Sequence, residues 1–326
     1  MVIFATAMQR AATIDIGSNS VKYLVVEYDE QKIVAVQERV EITRLGEGLS
    51  TTGILAETAI QRTIRRVRQM VRDLKSQQVN PIFIVGTMAL RSAKNGRDFH
   101  TQMRAAHLPP VNVLGGDEEA RLGHLAVTST LQLGSGKKSY CIFDTGGGST
   151  EFTFGQGSTI TDRFSLPVGL VPLTEKYLTA DRPPRKAVMS AMDEVFESLK
   201  MLDGKQTDTL IGIGGTVTTL GATHIAIEPY DPRKIHGIKL TTQAIQALRE
   251  RIFLVNLEER KRIPGLDPKR ADVIIAGVLI TQAIMEKLKQ PDLVVSDAGL
   301  RLGVLLDRLK LNGKPFSYST EWESIT

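Results

Sequence analysis

Two stretches of this chain repeat one another, and the repeat limits the possible folds more than any other feature. Asp15-Ile16-Gly17-Ser18-Asn19-Ser20 closes one strand-like run, and Asp144-Thr145-Gly146-Gly147-Gly148-Ser149 closes another, with Asp, Gly and Ser in register. After each glycine loop the residues alternate as in a strand (Val21, Tyr23 and Val25; Phe152 and Phe154), so each copy reads as a β-hairpin. A Rossmann or Walker loop would open a helix instead. Gly212-Ile213-Gly214-Gly215-Thr216-Val217 lacks the last glycine of the dinucleotide pattern. Gly134-Ser135-Gly136-Lys137-Lys138-Ser139 lacks the Walker spacing and reads as a surface turn.

Glycines at a hairpin tip, here Gly17, Gly146, Gly147 and Gly148, permit positive φ and let backbone N–H groups converge into an anion-binding nest. Ser18, Asn19, Ser20, Ser149 and Thr150 add neutral donors to phosphate oxygens. Asp15 and Asp144, each ending a strand, are placed to hold a divalent cation through water, because Mg²⁺ keeps much of its hydration shell. Either copy alone is ordinary turn chemistry. Two copies with shared polar positions argue for a phosphate chain gripped from both sides of a cleft. Gly214, Gly215 and Thr216 follow a third strand and lead into a helix at 217–222, where they meet either a further phosphate or a tight packing turn.

Strand-like runs at 12–16, 21–28, 81–85, 140–143, 151–154, 209–213 and 293–295 alternate with helical segments, which makes the class α/β. The segment 56–75 sets Ile60, Ile64, Val67, Val71 and Leu74 on one helical face, with Arg62, Arg65, Arg66, Arg68 and Arg72 on a solvated face around it. The longest apolar segment, 273–284, is interrupted by Gly277, Thr281 and Gln282 and reads as a buried helix, too short to cross a bilayer. At 326 residues and 42% apolar the chain can bury two cores, and a net charge of +5 suits an anionic ligand. The single cysteine, Cys141, and the absence of a Cys/His cluster remove disulfide and zinc frameworks. Residues 1–8 lack the basic and long apolar regions of a secretory signal, so Met8 is a candidate start and the cytoplasm the expected compartment.

The first hairpin, together with Phe143-Asp144-Thr145-Gly146-Gly147-Gly148-Ser149-Thr150-Glu151, resembles the actin-like phosphate-binding superfamily. Within it the chain resembles the exopolyphosphatase/guanosine pentaphosphate phosphohydrolase family. Further matches are Val85-Gly86-Thr87-Met88-Ala89-Leu90-Arg91, Gly116-Asp117-Glu118-Glu119-Ala120-Arg121, Ile235-His236-Gly237, Pro264-Gly265-Leu266, Arg270-Ala271-Asp272 and Ser296-Asp297-Ala298-Gly299-Leu300-Arg301. The resemblance implies two ribonuclease-H-like domains with mixed β-sheets flanked by helices around a central cleft. Residues 1–125 plus about 301–326 would form the first and 126–300 the second, in a short form without C-terminal helical domains and with a shorter grip on long polymers.

It also implies a homodimeric hydrolase that uses Mg²⁺ or Mn²⁺ to release orthophosphate from inorganic polyphosphate, with neither membrane nor specific nucleic acid as partner. Guanosine pentaphosphate or another nucleotide is the alternative substrate. An actin-like ATP switch and a polyphosphate sensor without turnover are the non-hydrolytic alternatives. Two glutamates carry the chemistry in the family, here Glu119 and Glu151, which with Asp15 and Asp144 form the expected metal-binding set. Acids in the first turn of a helix also suit its dipole, with Asp117 as the expected N-cap. Glu119 is separated from Glu118 because it lies above the small residues Gly123 and Ala126, whereas Glu118 lies above Leu122 and Leu125. Arg91, one turn into a helix that Thr87 is placed to cap, is an expected phosphate ligand. His236 has no assigned role, and Leu302 stands where many relatives have an acid.

Overall fold

The computed structural model describes residues 8–133, 138–157 and 159–325; residues 1–7 and most of the predicted turn at 134–139 lie outside them. Twelve strands are described: β1 (Gln9–Ile16), β2 (Ser20–Tyr28), β3 (Ile33–Ile42), β4 (Ile82–Gly86), β5 (Val111–Val113), β6 (Ser139–Thr145), β7 (Thr150–Gln156), β8 (Thr159–Leu166), β9 (Thr209–Ile213), β10 (Lys239–Thr241), β11 (Asp292–Val295) and β12 (Phe316–Ile325). They form two six-stranded sheets, ordered β12-β3-β2-β1-β4-β5 and β10-β11-β9-β6-β7-β8. In each, the strand that carries aspartate at its penultimate position pairs antiparallel with the next strand and parallel with a later one: β1 with β2 and β4, β6 with β7 and β9. The repeat seen in two loops thus extends to two sheets that share a five-strand order, β3-β2-β1-β4-β5 and β8-β7-β6-β9-β11, with β12 and β10 added at opposite ends, in the mixed α/β architecture the sequence implies.

Both faces of the first sheet are covered, so β1 and β2 carry apolar residues on each side. Ala12, Ile14 and Ile16 with Val21, Tyr23 and Val25 pack on the helix Glu57–Ser76, whose buried stripe is the predicted one. Ala11, Leu24 and Val26 pack instead on Leu302, Leu305 and Leu306 of the helix Leu300–Arg308. Leu302 is therefore core, at the position where an acid was expected. Strand alternation then puts Asp15 and its cross-strand partner Lys22 on this second face. In the second sheet Asp144 pairs with Glu151, on the face where Val127 of the helix Gly116–Thr130 joins Tyr140 and Ile142.

The two helices meet between the sheets. A Cβ at Gly303 would lie 2.0 Å from the backbone oxygen of Leu122, so the chains cross in direct backbone contact. The expected boundary at residue 125 falls inside the helix Gly116–Thr130, while the last helix and β12 return to the first sheet. Strands β3, β5, β8, β10 and β12 are additions to the sequence reading. In β8 every other residue faces solvent, which leaves little apolar signal.

His124, on the helix Gly116–Thr130, stacks on Tyr140 and hydrogen-bonds its hydroxyl at 2.8 Å, while that hydroxyl donates to the Gly157 carbonyl at 2.7 Å. Burial brings the imidazole down to about 4 from 6.5, so the folded state holds it neutral while the unfolded chain protonates it. Stability is then full above the unfolded value and falls as pH drops from 6.5 toward 4, by about 2 kcal/mol after discounting partial exposure. Urea midpoints at pH 7 and pH 5 should differ more for the wild type than for His124→Gln; equal differences would remove the imidazole as the cause.

Candidate active site

The two hairpins end alike. Gly17 N–H donates to Ser20 O at 2.9 Å, and Gly146 N–H donates to Ser149 O at 2.9 Å. Each tip is also held from behind by its carbonyls. Ser18 O accepts from Gly46 N–H, and Asn19 O accepts from Thr43 and Arg44 N–H; Gly146 O and Gly147 O accept from Leu170 and Val171 N–H. A planar trans peptide sets N–H opposite C=O, so these bonds turn the N–H groups of Asn19, Ser20, Gly147 and Gly148 away from their supports and toward the cleft. None of Gly17, Gly146, Gly147 and Gly148 has positive φ, which corrects the expected reason for glycine there. The reason is close approach: a Cβ at Gly147 would lie 3.0 Å from Asn19 N, and one at Gly148 would lie 2.6 Å from Met88 Sδ and 3.2 Å from Ser18 Oγ.

Four carboxylates line the cleft below the tips: Asp15, Asp144, Glu119 and Glu151. Glu119 sits in the first turn of the helix Gly116–Thr130, whose N-cap is Gly115 and not Asp117. Arg91 Nη1 donates to Glu119 Oε2 at 2.5 Å and to Leu114 O at 2.6 Å. Glu118 turns outward to a half-exposed ion pair with Arg121, which holds its carboxyl below the usual range. Glu151 Oε1 accepts from Ser149 Oγ at 2.6 Å and from Ser165 Oγ at 2.9 Å, which fixes one oxygen. Burial first, and then Glu151, push Glu119 up to about 9, and burial raises Glu151 as well. Burial pushes Asp144 up to about 7 against the pull of Lys22.

Two cations face these acids with only loose partners. Lys22 lies 4.0 Å from Asp15, and Arg270 lies 3.9 Å from Asp267. Arg270 packs on the backbone of Gly215, where a Cβ would be 2.2 Å from its Nη2. Gly214, at φ 78°, is a glycine that does need the left-handed region, and a Cβ on it would also lie 2.1 Å from Asp144 Oδ1. The helix there starts at Gly214, three residues before the predicted position. Asp15 Oδ1 and Asn19 Nδ2 are buried with no hydrogen-bond partner among the described residues. The cleft thus keeps one unsatisfied acceptor and one unsatisfied donor beside a cavity of about 70 Å³.

Most of the predicted residues line this cavity: Gly17, Ser18, Asn19 and Ser20 from the first tip, Gly146 to Ser149 from the second, Gly215, and the four acids. Others stand behind it. Thr150 donates its hydroxyl to Val168 O and Thr216 donates to Thr145 O, each at 2.7 Å, so both staple the loops. Arg91 reaches the site through Glu119, and Thr87 lines the cleft without a side-chain cap bond. His236 accepts at Nδ1 from the Asp297 backbone N–H at 3.3 Å, beside Tyr318. Lys22 and Arg270 had no sequence-based role. Extending the repeat by two residues would have reached Lys22, which pairs across from Asp15 as Glu151 does from Asp144. Among the described residues no three acidic, His or Cys side chains converge into a ready-made metal cage, and no helix is long and apolar enough to cross a membrane.

Comparison with known proteins agrees with this architecture. The chain is 33% identical over 308 residues to the bifunctional 3-dehydroquinate synthase/phosphatase of Fusobacterium nucleatum, covering 91% of this chain and 46%, about half, of that protein. It is 29% identical over 318 residues to exopolyphosphatase 2 of Mycobacterium tuberculosis, covering 92% of this chain and 98% of that one. The crystal structure of the Aquifex aeolicus Ppx/GppA family member, at 35% identity, superposes with a TM-score of 0.78 over 94% of this chain and 99% of that chain. The Ppx/GppA phosphatase family matches residues 24–312, and the chain belongs to that family.

Proposed function

We propose that this protein is an exopolyphosphatase that works with Mg²⁺ or Mn²⁺ and hydrolyses the terminal phosphoanhydride bond of inorganic polyphosphate. The observation that carries the proposal is the paired set of unsatisfied groups in one cleft, the Asp15 Oδ1 acceptor and the Asn19 Nδ2 donor, beside two loosely partnered cations. A phosphate chain with its counter-cation satisfies all of them. The tip N–H groups, Asn19, Lys22 and Arg270 hold phosphate oxygens. Asp15, Asp144, Glu119 and Glu151 suit a hydrated cation bound through one or two carboxylates, its own waters and the substrate. Such a cation supplies charge neutralisation at the phosphoryl oxygens.

Burial raises both glutamates, and Glu151 raises Glu119 further, so in the empty cleft they keep their protons; the charge of a bound cation would draw them back to the carboxylate form that orients and deprotonates water. Arg91 keeps the Glu119 carboxyl aimed, and Ser149 and Ser165 do the same for Glu151. The leaving group is a shortened polyphosphate, which needs no protein acid at neutral pH.

Orthophosphate release with Mg²⁺ present tests the proposal on tripolyphosphate, long-chain polyphosphate, guanosine pentaphosphate and ATP. Polyphosphate should exceed both nucleotides in kcat/KM by about tenfold or more, a gap of about 1.4 kcal/mol in transition-state binding. The reverse ranking would move the assignment to a guanosine pentaphosphate phosphohydrolase. Binding without turnover of any of the four would make the protein a sensor or switch.

A further inference from the structure

The helix Gly116–Thr130 carries a glycine in its interior, at Gly123, one turn beyond Glu119. Glycine there weakens a helix relative to alanine, so an interior glycine asks for a reason. Gly123 lines a second cavity of about 20 Å³ together with Glu119, Glu151, Asp144, Thr153 and apolar groups, among them Ile213 and Leu300. The three carboxylates also line the phosphate cleft, so they form the wall between the two spaces. A water needs about 10–15 Å³ by this measure and two to four polar partners. The space holds one water and no phosphate group. A hydrated Mg²⁺ does not fit it either, because half of the lining offers no oxygen to a cation that demands six.

We infer that this cavity stores the attacking water, and that Gly123 keeps it open. The inference rests on the hydrolase reading of the cleft. The carboxylate pair holds the stored water at the boundary of the two spaces, and the water passes between the acids to reach the terminal phosphorus. Its oxygen forms the new P–O bond and its proton passes to a carboxylate of the pair. The bridging P–O bond breaks with its electron pair on the departing shortened polyphosphate. The room that Gly123 leaves beside Glu119 is the size of one water.

A Cβ at position 123 would lie 3.0 Å from Ile213 Cδ1, inside the lining of the cavity. Gly123→Ala therefore fills the chamber while favouring the helix, and its Tm should not fall. With tripolyphosphate and Mg²⁺, kcat should drop about tenfold or more with KM within about twofold, because water is displaced and the phosphates are not. Gly123→Ala combined with Ile213→Val removes the crowding methyl and should recover kcat to within about threefold of wild type. Full activity in the single variant, or no recovery in the double, would overturn the inference. A high-resolution crystal structure of the ligand-free wild type provides a readout independent of turnover. It should show one water within hydrogen-bond reach of Glu119 or Glu151, absent in Gly123→Ala; an empty chamber in the wild type would overturn the inference even if polyphosphate is the substrate. A wild type that releases no orthophosphate from any substrate, yet holds that water, would instead sink the functional proposal.

Discussion

Glu119→Gln should lower kcat for orthophosphate release from polyphosphate by about 10³-fold, the middle of the range for removing a general base, and leave KM within about threefold. The amide has the shape of the carboxylate and can still accept from Arg91, so the helix start and the cleft wall stay in place. What it loses is the capacity to take a proton. Glu151→Gln should give a loss of similar size, since its Oε1 would remain tied to Ser149 and Ser165 while the charge that shapes the pair disappears. The double variant should be little worse than the poorer single variant, because two groups that act on one water fail together. Glu118→Gln is the internal control. It is adjacent in sequence but paired outward with Arg121, so only the fractions of a kcal/mol of a surface ion pair are at stake. Retention of more than about a tenth of wild-type kcat by Glu119→Gln would reject its assignment as the base.

The part of this site that was legible in the sequence is the part made by neighbours along the chain. Asp15 to Ser20 and Asp144 to Ser149 are each a strand end and a tip, and a strand end followed by glycine and serine gives a recognisable local pattern. What the tips need glycine for was not legible. The expected positive φ is absent, and the cause is the approach of Gly147 and Gly148 to Asn19, Ser18 and Met88, which are far away in sequence. Lys22 escaped notice because its counterpart in the second copy is a glutamate, so a search for shared residue types passes over a shared position. Thr150 and Thr216 have the right chemistry for phosphate, yet their hydroxyls are used by backbone carbonyls from other segments, a fact only tertiary structure supplies. The separation of Glu119 from Glu118 survived because helical spacing alone sends them to different sides.

Gly303→Ala should cost about 3 kcal/mol of stability, the upper end for overpacking. Its Cβ would lie 2.0 Å from Leu122 O, 2.6 Å from Leu122 C and 3.1 Å from Leu122 Cα, and backbone cannot rotate aside as a side chain can. Relief requires the helix Leu300–Arg308 to move off the helix Gly116–Thr130, and each is the cover of one sheet. Leu302, Leu305 and Leu306 would lose contact with Ala11, Leu24 and Val26, and the small gain in helix propensity from alanine does not offset that. The same shift carries Glu119, two turns or less from the crossing, away from Glu151, and a displacement near 1 Å is enough to cost about 10²-fold in rate. Thermal unfolding should show Tm lower by roughly 5 °C or more, together with reduced kcat. Gly221→Ala is the matched comparison: it is also an interior helical glycine, but its added methyl would meet only side-chain methyls, the nearest being Ile238 Cδ1 at 3.2 Å. That variant should stay within about 1 kcal/mol of wild type and keep its rate. Equal behaviour of the two variants would mean that the helix crossing yields, and that the spacing of the two acid-bearing sheets is set elsewhere.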